Sequence, residues 1–118
     1  MDEKTFKART KKLAVTIIKQ VEKLPRSLAA DTIGRQLIRS GTSIGANYRA
    51  ACRAKSSADM INKMKIVEEE SDETHYWLEL LVEAGLVPQN QITDIYKETD
   101  EILAMTVASI KTLRTRKS

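Results

Sequence analysis

Apolar side chains recur every three or four residues along almost the whole chain, the spacing that lines one face of an α-helix. A first stripe runs through Phe6, Leu13, Ile17, Val21 and Leu24, and a second through Ile33, Leu37, Ile44, Tyr48 and Ala51. A third carries Met60, Met64, Val67, Ser71, Thr74, Leu78 and Leu81, and a fourth Ile92, Ile95, Thr99, Ile102, Thr106, Ile110 and Leu113. Three short breaks separate them. Pro25 disfavours helix at Leu24. Ser56 and Asp59 have capping-box spacing, with Asp in place of the usual Glu or Gln. Gly85 is placed to follow a helix end, with Pro88 shortly after it. The pattern predicts helices over 3–24, 28–54, 57–84 and 91–113, with 114–118 frayed. Connections this short make consecutive helices antiparallel neighbours. The expected fold is all-α, an antiparallel up-down four-helix bundle in a single domain spanning 1–118.

Composition supports this reading. Only 4% of the residues are aromatic and 31% are charged, a balance that suits long solvent-faced helices better than sheets. A chain of 118 residues can bury a real core without disulfides or a structural metal. Cys52 is the only cysteine, so no intrachain disulfide forms, as in a reducing compartment. No apolar run reaches the length of a membrane span, and Met1-Asp2-Glu3-Lys4 does not open a signal peptide. The expectation is a soluble cytoplasmic protein with no membrane partner. Gly34, Gly41 and Gly45 all fall inside the second helix, where each costs up to about 1 kcal/mol relative to Ala. Two readings explain them: close approach of another helix, or a bend through Arg39–Ser43 that shapes a surface.

Charge changes the picture more. The net charge of +4 hides a division: residues 1–55 carry 13 Lys and Arg against 4 Asp and Glu, whereas residues 56–110 carry 3 against 12. Arg35, Arg39, Arg49 and Arg53 fall within about an 80° arc of helix two, opposite its apolar stripe, along about 27 Å of helix. Arginine suits bidentate phosphate contact, and Thr42 and Ala46 between the arginines let a backbone lie close. Lys4, Lys11, Lys12 and Lys19 on helix one widen the patch. Two readings compete for this face. One is RNA or DNA held by its phosphates, with strong salt dependence and no base stacking, because no aromatic interleaves with the arginines. The other is a solvated or assembling face that pairs with the acidic half of the chain or binds a partner protein.

On helix three Glu70 lies about 60° from the stripe centre, so it needs a partner, either a helix-two arginine or Lys63 as a structural ion pair. Ile66, Trp77 and Leu80 form a second apolar strip roughly 80–140° from the core stripe. They either complete the core or mark an oligomer interface, and a basic face meeting an acidic one suits a head-to-tail ring. Asp72 and His75 have the carboxylate-x-x-His spacing of di-iron bundles, but such sites need two of these elements facing inward. With one histidine in the chain, and both residues placed away from the stripe, no metal is expected. Cys52 near the core face reads as packing. No cofactor and no catalysis are expected.

The run Leu37-Ile38-Arg39-Ser40-Gly41-Thr42-Ser43-Ile44-Gly45-Ala46-Asn47-Tyr48-Arg49 resembles the signature of the bacterial four helix bundle protein family, also called the 23S rRNA intervening-sequence protein family. Ala54-Lys55-Ser56, Ile61-Asn62-Lys63-Met64, Val67 through Thr74 and Tyr76-Trp77-Leu78 extend the likeness over roughly residues 10–113. The resemblance implies an up-down bundle assembling into a ring, a homopentamer. Some members are encoded within large-subunit ribosomal RNA genes. A related branch is the accessory variability protein of diversity-generating retroelements, thought to bind nucleic acid and a reverse transcriptase. Many members have no assigned function. In that branch an acidic residue often follows the asparagine-tyrosine-arginine string; here Ala50 stands there, which leaves the arginine row less neutralised.

Overall fold

Three of the four helices begin where a side-chain oxygen caps free backbone N–H groups. Asp2 accepts from the Thr5 N–H at 3.3 Å, Ser27 from the Ala30 N–H at 3.1 Å, and Ser56 from the Asp59 N–H at 3.1 Å. The computed structural model describes residues 2–117, Lys117 by its backbone alone. Its elements are α1 (Glu3–Glu22), α2 (Leu28–Cys52), α3 (Ser57–Glu83) and α4 (Gln89–Lys117). The reciprocal arm expected of the Ser56–Asp59 box reaches one residue further back: the Asp59 carboxylate accepts from the Lys55 N–H at 3.4 Å. Gly85 adopts φ +73°, the left-handed position that ends α3, and Val87 is buried behind it.

The first three helices start where the sequence predicts and end one or two residues early, at Glu22, Cys52 and Glu83; α4 differs at both ends. α4 begins at Gln89, directly after Pro88, and it continues through Lys117 instead of fraying from Arg114. The Thr112 and Thr115 hydroxyls bond carbonyls one turn back and support that last stretch. Ser118 lies outside the described residues.

Each helix packs on two neighbours: α1 on α2 and α4, and α3 on α2 and α4. The diagonal pairs lie farther apart, so the bundle is square in section, up-down-up-down, and measures 50 × 21 × 21 Å. Phe6, Ile17, Leu37, Ile44, Val67, Leu78, Leu81 and Ile102 are fully buried along its axis. Polar residues in the predicted stripes enter the core without penalty because their hydroxyls return to the carbonyl one turn back. Ser71 bonds Val67 O at 2.8 Å, Thr99 bonds Ile95 O at 2.8 Å, and Thr106 bonds Ile102 O at 2.7 Å. The Thr74 and Ser40 hydroxyls also meet at 2.9 Å across the α2–α3 seam.

The helix-two glycines serve close approach. α2 is uninterrupted from Leu28 to Cys52 and no glycine within it has positive φ. A Cβ at Gly41 would stand 2.5 Å from Ile17 Cδ1, and one at Gly45 3.1 Å from Thr10 Oγ1. α1 therefore lies nearer to α2 than side chains would permit, and the bend reading is set aside.

Candidate nucleic-acid interface

All four arginines of the α2 row are exposed, but the row is not one site. At 100° per residue, Arg39 and Arg49 lean about 80° apart, Arg39 towards α3 and Arg49 towards α1. The Arg39 guanidinium is already engaged. It donates to Glu70 at 3.2 Å, to Glu73, and to the Gln36 side chain at 3.1 Å. Glu73 also accepts the Trp77 indole N–H at 3.2 Å, so an Arg39–Glu73–Trp77 chain ties α2 to α3. Of the two partners foreseen for Glu70, the arginine takes the place and Lys63 does not. Lys63 is seven residues away on the same helix, about 10 Å of rise, whereas Arg39 comes across the seam.

Arg49 faces a different setting. With Lys7 and Lys11 of α1 it borders a groove of about 230 Å³ between α1 and α2, whose floor is Ala14, Gly45 and Ala46. The small residues that let the helices approach also keep this groove shallow and open. Lys7 is paired in part with Glu3, 3.1 Å away. Arg53 lies about 6 Å further along the helix axis and Arg35 about 21 Å in the other direction, both exposed.

Lys12 and Lys19 do not join this face. Lys12 borders a hollow with Thr16, Asp94 and Glu98, on the α4 side of α1, and Lys19 follows seven residues on. The roll of α1 about its own axis, fixed by the glycine contacts, decides which lysines reach the arginines. Sequence reasoning missed Arg9, which grips Glu98 with a two-pronged contact (2.9 and 2.6 Å) and reaches Glu101 at 3.6 Å. The hydrogen bonds to Glu98 hold its guanidinium above its ordinary pKa. The signal was its position one turn before Leu13, on the flank of the stripe, with two acids in helix four to meet it.

On α3, Ile66, Trp77 and Leu80 are half-buried, and Trp77 packs against the core. Beside them Tyr76 is 53% exposed and sets its ring edge-on to Trp77, centroids 5.0 Å apart. His75 corrects the sequence reading. It is buried, not outward, because α4 covers that flank of α3. Its ring stacks on Tyr96 at 4.2 Å, and Nε2 lies 3.4 Å from the Tyr96 carbonyl. The Tyr96 hydroxyl donates to Glu79 at 2.8 Å, which raises the phenol pKa. Asp72 is exposed, apart from His75, and among the described residues no three His, Cys, Asp or Glu side chains are grouped to hold a metal.

Cys52 is half-buried at the end of α2, and burial pushes its thiol pKa up. Since the thiolate is the reactive species, alkylation by iodoacetamide at neutral pH is expected to be markedly slower in the folded protein than in urea. Equal rates, followed by mass spectrometry, would contradict this placement.

Comparison with known proteins follows the same outline. The model of the family described as 23S rRNA-intervening sequence protein matches residues 4–108. The crystal structure of a protein of unknown function from the S23 ribosomal protein family of Bacteroides thetaiotaomicron superimposes with a TM-score of 0.83 at 36% identity, covering 94% of this chain and 99% of that one. Among curated proteins, none matches.

Proposed function

The chain belongs to the 23S rRNA-intervening sequence protein family, and from that premise we propose that it is a homo-oligomeric accessory protein that binds RNA or DNA by its phosphates, without catalysis. The observation that carries this reading is the α1–α2 groove, where Lys7, Lys11 and Arg49 converge over a floor of small side chains. Arg53 and Arg35 extend its positive edge. Cations of this kind on rigid helices hold a phosphate backbone without reading bases. Arg39, Lys12 and Lys19 take no part in this version of the site. No helix among the described residues is long and apolar enough to cross a membrane, and the reading places the protein in the cytoplasm.

Mobility shift with a mixed-sequence RNA and DNA tests it. With about four phosphate contacts, affinity is expected to fall roughly 100-fold between about 50 and 200 mM salt. Arg49→Glu with Arg53→Glu is expected to abolish the shift while leaving the melting temperature nearly unchanged, since neither side chain is in a salt bridge within the described residues. Arg39→Glu is expected to do the opposite. It places a third carboxylate beside Glu70 and Glu73 and costs about 2 kcal/mol of stability, discounted for the 45% exposure of the Arg39 side chain. Absence of binding at low salt, or binding unaffected by the Arg49/Arg53 reversal, overturns the reading.

A second reading has its own support in Arg39. One arginine of the row already serves an internal acidic partner, so the chain's opposite charges can serve assembly or a partner protein instead of nucleic acid. It predicts that the Arg49/Arg53 reversal changes the oligomeric state.

A further inference from the structure

Folding turns the charge division of the sequence into a polarity along the long axis of the bundle. Phe6 meets Tyr48, Thr10 lies against Gly45, and Glu3, Met60, Leu113 and Arg116 border one hollow. The start of α1, the end of α2, the start of α3 and the end of α4 therefore share one end of the molecule. Residues 2–11, 45–68 and 102–116, which build that end, carry 12 Lys and Arg against 4 Asp and Glu. Residues 12–44 and 69–101, towards the other end, carry 7 against 12. Among the described cations of the basic end only Lys7 and Arg9 take part in ion pairs, and Arg9 finds its acids, Glu98 and Glu101, in the other half. α4 brings Lys111, Arg114 and Arg116, all exposed on its last two turns, and Lys55 and Lys65 are exposed beside the α2–α3 connection. Cations gathered this way repel one another, and a polyanion relieves that repulsion.

We propose that this end of the bundle grips the phosphate backbone of base-paired RNA or DNA, with Arg114 and Arg116 of α4 making contacts of the same kind as Arg49 and Arg53 of α2. The inference rests on the phosphate-binding reading above and adds the form of the nucleic acid and a second helix that holds it. The end is 21 Å across, a width that spans about six phosphates of one duplex strand at about 3.4 Å each. The paired form follows from the side chains present. Among the described residues the basic end exposes no aromatic ring: Phe6 and Tyr48 are buried, and the exposed Tyr76 stands in the acidic half of α3. Single strands draw much of their affinity from bases stacked on such rings, whereas a duplex keeps its bases stacked inside and presents its phosphates to the protein.

Fluorescence anisotropy against salt, with a short DNA duplex, the matching RNA duplex and one single strand of each, tests this. Both duplexes are expected to bind more tightly than the single strands. Arg114→Gln with Arg116→Gln is expected to flatten the slope of log K against log salt by about 1.8, two phosphate contacts at about 0.9 each. Lys19→Gln with Lys23→Gln removes the same net charge from exposed positions at the other end and is expected to leave the slope unchanged. All four positions are exposed, and circular dichroism confirms that the variants fold. A slope untouched by the α4 substitutions, or flattened equally by the α1 pair, overturns the site at the bundle end and leaves the α1–α2 groove standing. Tighter binding of the single strands overturns the assignment to a duplex. A wild type that binds none of these nucleic acids at low salt overturns the phosphate-binding reading itself.

Discussion

Phe6→Ala is expected to remove about 3–5 kcal/mol of stability. Phe6 is the only phenylalanine and is fully buried one turn into α1. Its ring meets Tyr48 edge-on at 4.5 Å, so it joins the start of α1 to the last turns of α2. Tyr48, Ala51 and Met64 are buried in the same core cluster, and a packed core of this kind collapses little into the space left behind. A domain of this size has about 5–15 kcal/mol in total, so the variant is expected to be partly unfolded at physiological temperature. Chemical denaturation followed by circular dichroism measures it. A loss below about 1 kcal/mol would mean that the α1 N-terminal turns do not belong to the cooperative core.

Gly41→Val is expected to cost about 3 kcal/mol, even though it replaces the worst ordinary helix former with a better one. Added side-chain atoms have nowhere to go: a Cβ alone stands 2.5 Å from Ile17 Cδ1 and 3.2 Å from its Cγ2, and Ile17 is fully buried. α1 has to move outward, which loosens the Gly45–Thr10 contact too and widens the α1–α2 groove. The decisive control is Gly41→Ala in two backgrounds. In the wild type the clash outweighs the propensity gain, and the substitution destabilises. After Ile17→Ala the remaining atom of that side chain is Cβ, 3.6 Å away, and the same substitution is expected to stabilise by up to about 1 kcal/mol. A double-mutant cycle from urea melts reads the sign change directly. Equal effects in both backgrounds would show that Gly41 is not there for helix approach.

The bundle follows from local pattern alone. A 3–4 apolar spacing is a local property, and Pro25, Ser56 and Gly85 interrupt it at places where the backbone has no good helical alternative, so helix number, order and core stripes follow without knowledge of partners. Even Ser71, Thr99 and Thr106 fit, because a threonine or serine hydroxyl satisfied by its own helix behaves as an apolar residue. The division of charge between the two halves was equally plain.

Which charges act together depends instead on how the helices pack. Arg39 and Arg49 stand about 80° apart around α2, but only the placing of α3 and α1 against that helix gives one to Glu70 and Glu73 and leaves the other to the α1–α2 groove. His75 reads as an outward residue on α3 until α4 is laid over that flank. Lys12 reads as a neighbour of the arginines until the glycine contacts set the roll of α1 and turn it towards Asp94 and Glu98. In each case the sequence gives the angle of a side chain about its own helix, but not the rotation of that helix against its neighbours. The rotation is set by packing between elements far apart in the chain, here by three glycines and the bulky side chains of α1 that fill the space above them.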